Sequence, residues 1–256
     1  MHYEIHGTGD PVVLLHGGAL NSRMWDGQVD AFARRHTVIR YDLRGHGRSP
    51  TPTEPFAHYE DLRQLLDDLD IPRAALVGLS LGSRVSIDFA LSYPDRVARL
   101  VLAAPGISGM TTRDPFILGQ LEKLGTAVAG NDVDAALESV LRMWVDGPHR
   151  APDQTPPGVR AFCLELLADT ATRHGRTGHT LMTELHAIDR TAELNLPILL
   201  PVGDLDSSDI HHVVDLIARN APHANKVVIP GVAHNVNLER PEEFNEVVLE
   251  FLSRPW

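Results

Sequence analysis

The apolar run Ala74-Ala75-Leu76-Val77 closes on Gly78-Leu79-Ser80-Leu81-Gly82 and leads into a helix-compatible segment. This is the pattern of a serine held out on a tight turn between a strand and a helix. Gly78 and Gly82 lack side chains, so the backbone can turn sharply at Ser80 and the following helix can pack close to neighbouring strands. A helix beginning just after Ser80 would place free amide groups and a partial positive charge beside its hydroxyl. That environment suits an oxyanion forming next to the serine.

Strand-like and helix-like segments alternate on both sides of this turn. Residues 3–5 read as a short edge strand, and residues 11–15 as a strand buried on both faces, because they form a continuous apolar run bounded by turn residues. Residues 24–34 follow as a helix, with Trp25, Val29 and Phe32 on one face, and residues 37–41 as a strand. Tyr59, Leu62, Leu65, Leu66 and Leu69 share one face of a helix of period 3.6. Residues 81–93 are expected to be a buried helix stopped at Pro94, and residues 97–104 the next strand. Such alternation argues for parallel strands joined by crossover helices, a doubly wound and mostly parallel α/β sheet.

The alternation lapses after Gly106. Helical patterns at 133–145 and 161–170 are separated by Asp146-Gly147-Pro148 and Thr155-Pro156-Pro157-Gly158, with no convincing strand. Strands resume at 196–202 and 225–229, with a helix at 210–219 between them and a closing helix striped by Phe244, Val247, Val248, Phe251 and Leu252. We therefore expect a core of residues 1–106 and 193–256, with residues 107–192 inserted as a helical lid, since so long an insertion is usually functional.

Composition narrows the function classes. Lysine and arginine number 23 against 34 aspartates and glutamates, a net charge of −11, which disfavours nucleic-acid or anionic-membrane partners. Cys163 is the single cysteine, so no internal disulfide or cysteine zinc cluster is available, and it reads as core. The 14 histidines are scattered without metal-ligand spacing, so neither a metal nor a cofactor is expected. No secretory signal and no apolar stretch of the ~20 residues needed to span a bilayer are seen, so a cytoplasmic protein, monomeric or a small homo-oligomer, is expected.

A serine hydroxyl becomes a good nucleophile only when a base takes its proton and a carboxylate steadies that base. Ser80, Asp206 and His234 supply the three groups in chain order, each following an apolar strand. The chain resembles the α/β-hydrolases over essentially its whole length. The resemblance rests on His16-Gly17-Gly18, Asp42-Leu43-Arg44-Gly45-His46-Gly47-Arg48-Ser49, the Ser80 turn, Gly203-Asp204-Leu205-Asp206 and Gly231-Val232-Ala233-His234 with its following Leu238-Glu239-Arg240-Pro241-Glu242-Glu243-Phe244. Within that superfamily it is similar to the small, single-lid branch of oxoadipate enol-lactonases, carboxylesterases and cofactor-free perhydrolases. Leu141-Arg142-Met143-Trp144-Val145-Asp146-Gly147-Pro148 also resembles lid sequences of enol-lactonase-like members.

The resemblance implies Ser80 as nucleophile, His234 as base and Asp206 as acid, three residues after Gly203. Asp204 is then a turn residue and Asp209 a helix N-terminal charge. It also implies an oxyanion hole of the Gly18 and Leu81 amides, with His16 bracing the loop and Asp42, Arg44, His46 and Arg48 in a structural turn. Met143, Trp144, Phe116 and Phe162 are candidates for the substrate pocket. Arg113, Arg142 and Arg150 read as solvated lid arginines, with binding of a substrate carboxylate as the alternative. The expected activity is hydrolysis of a small-molecule ester or lactone. Carbon–carbon bond hydrolysis or perhydrolysis by the same triad, and a ligand receptor on the same scaffold, are the rivals.

Overall fold

Apolar runs without alternation need cover on both faces of a sheet, and the computed structural model, which describes residues 1–175 and 181–254, provides it. The strands are β1 (Tyr3–His6), β2 (Asp10–Leu15), β3 (His36–Tyr41), β4 (Ala74–Leu79), β5 (Val97–Ala103), β6 (Ile198–Gly203) and β7 (Ala224–Ile229). They form one sheet in the order β1-β3-β2-β4-β5-β6-β7. Only β1 runs antiparallel, against β3; every other pairing is parallel. The helices of the first half are α1 (Asp26–Ala33), α2 (His58–Asp68) and α3 (Leu81–Ser92). Between β5 and β6 lie α4 (Pro115–Ala129), α5 (Val133–Leu141) and α6 (Pro157–His174), and α7 (Ser208–Asn220), α8 (Val236–Glu239) and α9 (Pro241–Ser253) complete the chain.

Successive strand residues feed two cores. Val13, Leu15, Leu76, Leu100, Leu102, Ile198 and Leu200 pack on one face with Leu62 and Leu66 of α2, Val85 and Phe89 of α3 and Val213 and Ile217 of α7. Val12, Leu14, Val77, Val101 and Leu199 pack on the other with Phe32 of α1 and Phe244, Val248 and Phe251 of α9. Each such fully buried side chain contributes roughly 1.5–3 kcal/mol of transfer free energy, which explains why β2 and β4 read as unbroken apolar text. On α2 the complementary face is charged, and Arg63 pairs there with Glu60 and Asp67.

The segment between β5 and β6 does not build a core of its own. Leu141, Val145, Cys163, Leu166 and Leu167 join the α1/α9 core, and burial of the Cys163 thiol pushes its pKa up to about 12. Among its described residues the β structure amounts to an isolated bridge between Met182 and Phe56. Residues 176–180 of this insertion lie outside the described residues.

Two local expectations are corrected and one helix is added. The helix expected at 24–34 begins as a 3-10 turn, Ser22–Trp25, because Asn21 accepts the Arg23 N–H at 3.1 Å and caps it, and α1 follows. The helix expected at 133–145 stops at Leu141, and Arg142–Asp146 form a π-helical turn. Helix α4 was not anticipated, although Asp114 caps it by accepting the Phe116 and Ile117 N–H groups and Pro115 occupies its first turn. No described helix is long and apolar enough to cross a membrane.

Candidate active site

Ser80 leaves β4 at φ 54° and ψ −106°, a conformation costly for any residue with a side chain, roughly 1–3 kcal/mol. It is held there from both sides. Its N–H donates to Ala103 O at 3.0 Å, and its carbonyl accepts the N–H groups of Arg84 at 3.0 Å and Gly106 at 3.2 Å. The positive φ therefore falls on Ser80 itself, and the two glycines serve close approach rather than the turn. A Cβ on Gly78 would lie 2.3 Å from the Gly82 carbonyl carbon, and one on Gly82 would lie 2.0 Å from Leu15 O. Helix α3 is pressed against β2 at that point.

Asp206 and His234 enter from the loops after β6 and β7. Because β2, β4, β6 and β7 run the same way, the residues that follow them gather at one edge of the sheet. His234 Nδ1 donates to Asp206 Oδ2 at 2.8 Å, and Asp206 Oδ1 accepts the Ser207 N–H at 2.7 Å. Both side chains are almost fully buried, at 3% and 1% exposure. His234 Nε2 is buried too and has no hydrogen-bond partner among the described residues. The neighbouring aspartates have other tasks. Asp204 accepts the Gly231 N–H at 2.7 Å, closing the turn before His234. Asp209 lies in the first turn of α7 and accepts the N–H groups of Arg113 and Asp114, fastening the start of α4.

Gly18 and Leu81 face each other beside the serine, since a Cβ on Gly18 would sit 3.7 Å from that of Leu81. Leu81 opens α3, where a helix leaves its N–H groups without internal partners. The Gly17 N–H is taken by Met24 Sδ at 3.1 Å, whereas the Gly18 N–H meets no acceptor among the described residues. His16 braces this loop: its Nδ1 donates to Gly17 O at 2.8 Å and its Nε2 accepts the Leu43 N–H at 2.9 Å. Burial lowers its pKa and keeps the imidazole neutral for both bonds. Asp42 organises the 42–49 turn by accepting the N–H groups of Ser22 and Arg48, each at 2.8 Å. Burial pushes its carboxyl upward, but these bonds prevail and hold it below its ordinary value.

A cavity of about 230 Å³ joins these pieces, and Gly17, Gly18, Ser80, Trp144 and His234 all line it. Apart from Asn235, its remaining walls are apolar, from Ala19, Leu20, Leu79, Leu121, Leu124, Val140, Met143, Val145 and Leu167. A larger hollow of about 780 Å³ lies at the other edge of the sheet, among Asp10 and His36 at the starts of β2 and β3, Arg73 just before β4 and Arg99 early in β5, and holds none of the three residues. Among the described residues no group of histidine, cysteine, aspartate or glutamate could hold a metal ion.

The sequence model described as alpha/beta hydrolase fold matches residues 10–241. The chain belongs to this family. A pimeloyl-[acyl-carrier protein] methyl ester esterase from Aeromonas hydrophila is 28% identical to this alpha/beta hydrolase, over 97% of this chain and 98% of its own. A 2-hydroxy-6-oxononadienedioate/2-hydroxy-6-oxononatrienedioate hydrolase from Burkholderia vietnamiensis is 31% identical over 99% of this chain and 91% of its own. The solved enol-lactonase from Burkholderia xenovorans shares the fold at a TM-score of 0.80, with 24% identity over 99% of this chain and 96% of that one.

Not every candidate pocket residue of this alpha/beta hydrolase reaches the cavity. Trp144 and Met143 do, whereas Phe116 and Phe162 do not. The Phe116 ring instead carries the Arg142 guanidinium, 5.3 Å from its centroid, and Phe162 carries Arg23 at 5.4 Å. The reading of Arg150 as solvated is also wrong. Arg150 is only 8% exposed, and it grips Glu239 at 2.6 and 2.9 Å while donating to Val145 O and Asp146 O. Arg142 pairs with Asp146 at 2.9 Å, and Arg113 stays exposed outside the cavity wall. Sequence reasoning missed Ala19, Leu20, Leu79, Leu121, Leu124, Val140, Val145, Leu167 and Asn235 as lining residues. Helical spacing put Val140 and Leu167 on helices, and Leu121 and Leu124 share the spacing of α4, but none of this distinguished a cavity wall from lid core.

Proposed function

We propose that this chain is a cofactor-independent serine hydrolase of small-molecule carboxylic esters or lactones, working through an acyl-enzyme on Ser80. The observation that carries this reading is the shared cavity of Ser80 and His234, with His234 Nδ1 bonded to Asp206 at 2.8 Å and its Nε2 buried without a partner among the described residues. His234 Nε2 takes the Ser80 proton as the hydroxyl oxygen attacks the carbonyl carbon, and Asp206 stabilises the imidazolium. The Gly18 and Leu81 amides hold the oxyanion. Collapse expels the alkoxide, which takes the proton from His234; in a lactone it stays tethered as a hydroxyl of the acyl group. Water, deprotonated by the same histidine, then releases the acid and restores Ser80.

The cavity argues for a small, apolar acyl group. Its volume of about 230 Å³ falls below the ~300–1,000 Å³ of pockets for larger ligands, and no lysine or arginine lines it. A neutral ester or lactone suits these walls better than a dicarboxylate. Carbon–carbon bond hydrolysis by the same three groups is the second reading, favoured by the 31% identity to the Burkholderia vietnamiensis hydrolase.

The test is kcat/KM for a short-chain aryl ester and a lactone of similar acyl size, with Ser80→Ala as the blank. We expect turnover of at least one, falling by about 10³–10⁶-fold in Ser80→Ala. A purified, folded Ser80→Ala with unchanged turnover sinks the assignment. Labelling of Ser80 by a phosphonate without turnover of either substrate moves weight to the carbon–carbon hydrolase and to a receptor on this scaffold.

A further inference from the structure

The indole of Trp144 lies against the imidazole of His234, with ring centroids 4.9 Å apart and planes at 44°. The contact is built, not incidental. Trp144 sits in the π-helical turn Arg142–Asp146, a rare geometry that recurs at functional sites. Asn235, the residue after His234, donates its Nδ2 hydrogen to Trp144 O at 2.6 Å. Arg150 holds the next two carbonyls, Val145 O at 2.8 Å and Asp146 O at 2.7 Å. The histidine loop and the insertion thus both fix where the indole stands.

His234 is 2% exposed. The charged groups around it are few and mostly spent. From the loop after β6, Asp206 meets Nδ1, while Asp204 and Asp209 are bonded to backbone amides elsewhere. In the π turn, Arg142 and Asp146 pair with each other. Beyond His234 on its own loop, Glu239 is paired with Arg150. What stands against the ring itself is an aromatic π-system, and a cation within about 6 Å of an indole face is attracted to it.

We propose that Trp144, besides walling the cavity, is a positioning residue for His234 whose indole stabilises the imidazolium formed when Nε2 takes the Ser80 proton. This rests on the reading of His234 as the general base. No proton passes to the indole: the proton still moves from Ser80 Oγ to His234 Nε2, and Trp144 acts only on the charged state. The insertion therefore contributes both the shape of the cavity and part of the electrostatics of the base.

The test is the rate at which a p-nitrophenyl alkylphosphonate labels Ser80, measured across about pH 5 to pH 9, where a histidine titrates. In that reaction Ser80 Oγ bonds to phosphorus, p-nitrophenolate leaves and His234 takes the serine proton, so it reports on the base without requiring the natural substrate. Trp144→Leu keeps an apolar cover without a π face, and Trp144→Phe restores a weaker one. We expect the acidic limb of the profile to move down by about one pH unit in Trp144→Leu and by less in Trp144→Phe, with the plateau rate about tenfold lower in the leucine variant. An upward shift would mean that the indole only shields His234 from water, and an unmoved limb with altered phosphonate affinity would mean that it is only a wall; either overturns the proposal. Calorimetric unfolding confirms the fold of each variant, and Trp144→Phe carries the comparison should Trp144→Leu not fold. If the unsubstituted protein is not labelled at Ser80, the serine hydrolase reading fails first, and the two failures stay distinct.

Discussion

Arg150 and Glu239, 89 residues apart, meet as a buried ion pair with two hydrogen bonds of 2.6 and 2.9 Å. The side chains of the pair are 5% and 1% exposed, and each partner also serves backbone: Arg150 the π turn, Glu239 the Ala233 N–H at 3.1 Å, next to His234. Removing one charge would strand the other in a dry interior. We expect Arg150→Met to destabilise the fold by about 3–5 kcal/mol. The double variant Arg150→Met/Glu239→Leu should recover part of that loss, because no bare charge remains, but not all, because the Ala233 N–H loses its acceptor. Denaturant unfolding of the two variants checks this, and equal stability in both would show that the cost lies in packing.

This pair also marks a limit of the sequence. The strands β2, β4 and β6 were legible because burial on both faces writes near-unbroken apolar text, β5 was legible despite Arg99, and with them came the edge at which Ser80, Asp206 and His234 gather. The strong chemical constraint on the Ser80 turn was legible for the same local reason. The insertion was harder to read. Arg150 looks solvated until its partner 89 residues away is known, and Phe116 and Phe162 look like pocket walls until Arg142 and Arg23 are seen on their rings. Helix α4 carries Gly119 and Gly125, which weaken its pattern, and its cap contributes only two hydrogen bonds. The π turn comes from how the insertion docks on the histidine loop through Asn235, which no local propensity encodes.

The glycines around the serine are not equivalent. A methyl on Gly82 would strike Leu15 O at 2.0 Å, a backbone atom at the end of β2 that is held between β3 and β4. Gly82→Ala should therefore cost about 1–3 kcal/mol or more, at roughly 2–4 °C of melting temperature per kcal/mol. A methyl on Gly18 would meet only Leu81 side-chain atoms at 3.7 and 3.9 Å, an ordinary contact. Gly18→Ala should melt within about 1 °C of the unsubstituted protein, since a surface-like change without strain costs little. Its ester turnover should nonetheless fall, because the methyl stands where an acyl group would approach. Calorimetry on both variants with a kcat/KM comparison tests the contrast, and equal melting temperatures would show that α3 has room to retreat from β2.

Asp88 on α3 is 3% exposed, and its Oδ1 accepts the Ser108 hydroxyl at 2.7 Å. Burial holds its carboxyl above the ordinary range, against the opposing bonds from Ser108 and the Leu185 N–H and the charge of Arg84. The direction fixes a pH effect. In the unfolded chain the group ionises near about pH 3.9, whereas in the folded protein it keeps its proton to higher pH, so between those values the folded state binds more protons. Its contribution to stability is complete below the unfolded value and is lost as pH rises through the folded one. Asp88→Asn is neutral throughout and retains an oxygen to accept the Ser108 hydroxyl. The melting temperature of Asp88→Asn, relative to the unsubstituted protein, should therefore rise over an interval above about pH 4. A difference that stays constant over that interval would mean that the Asp88 carboxyl does not change its proton there, and a falling one would mean that Ser108, Leu185 and Arg84 outweigh burial.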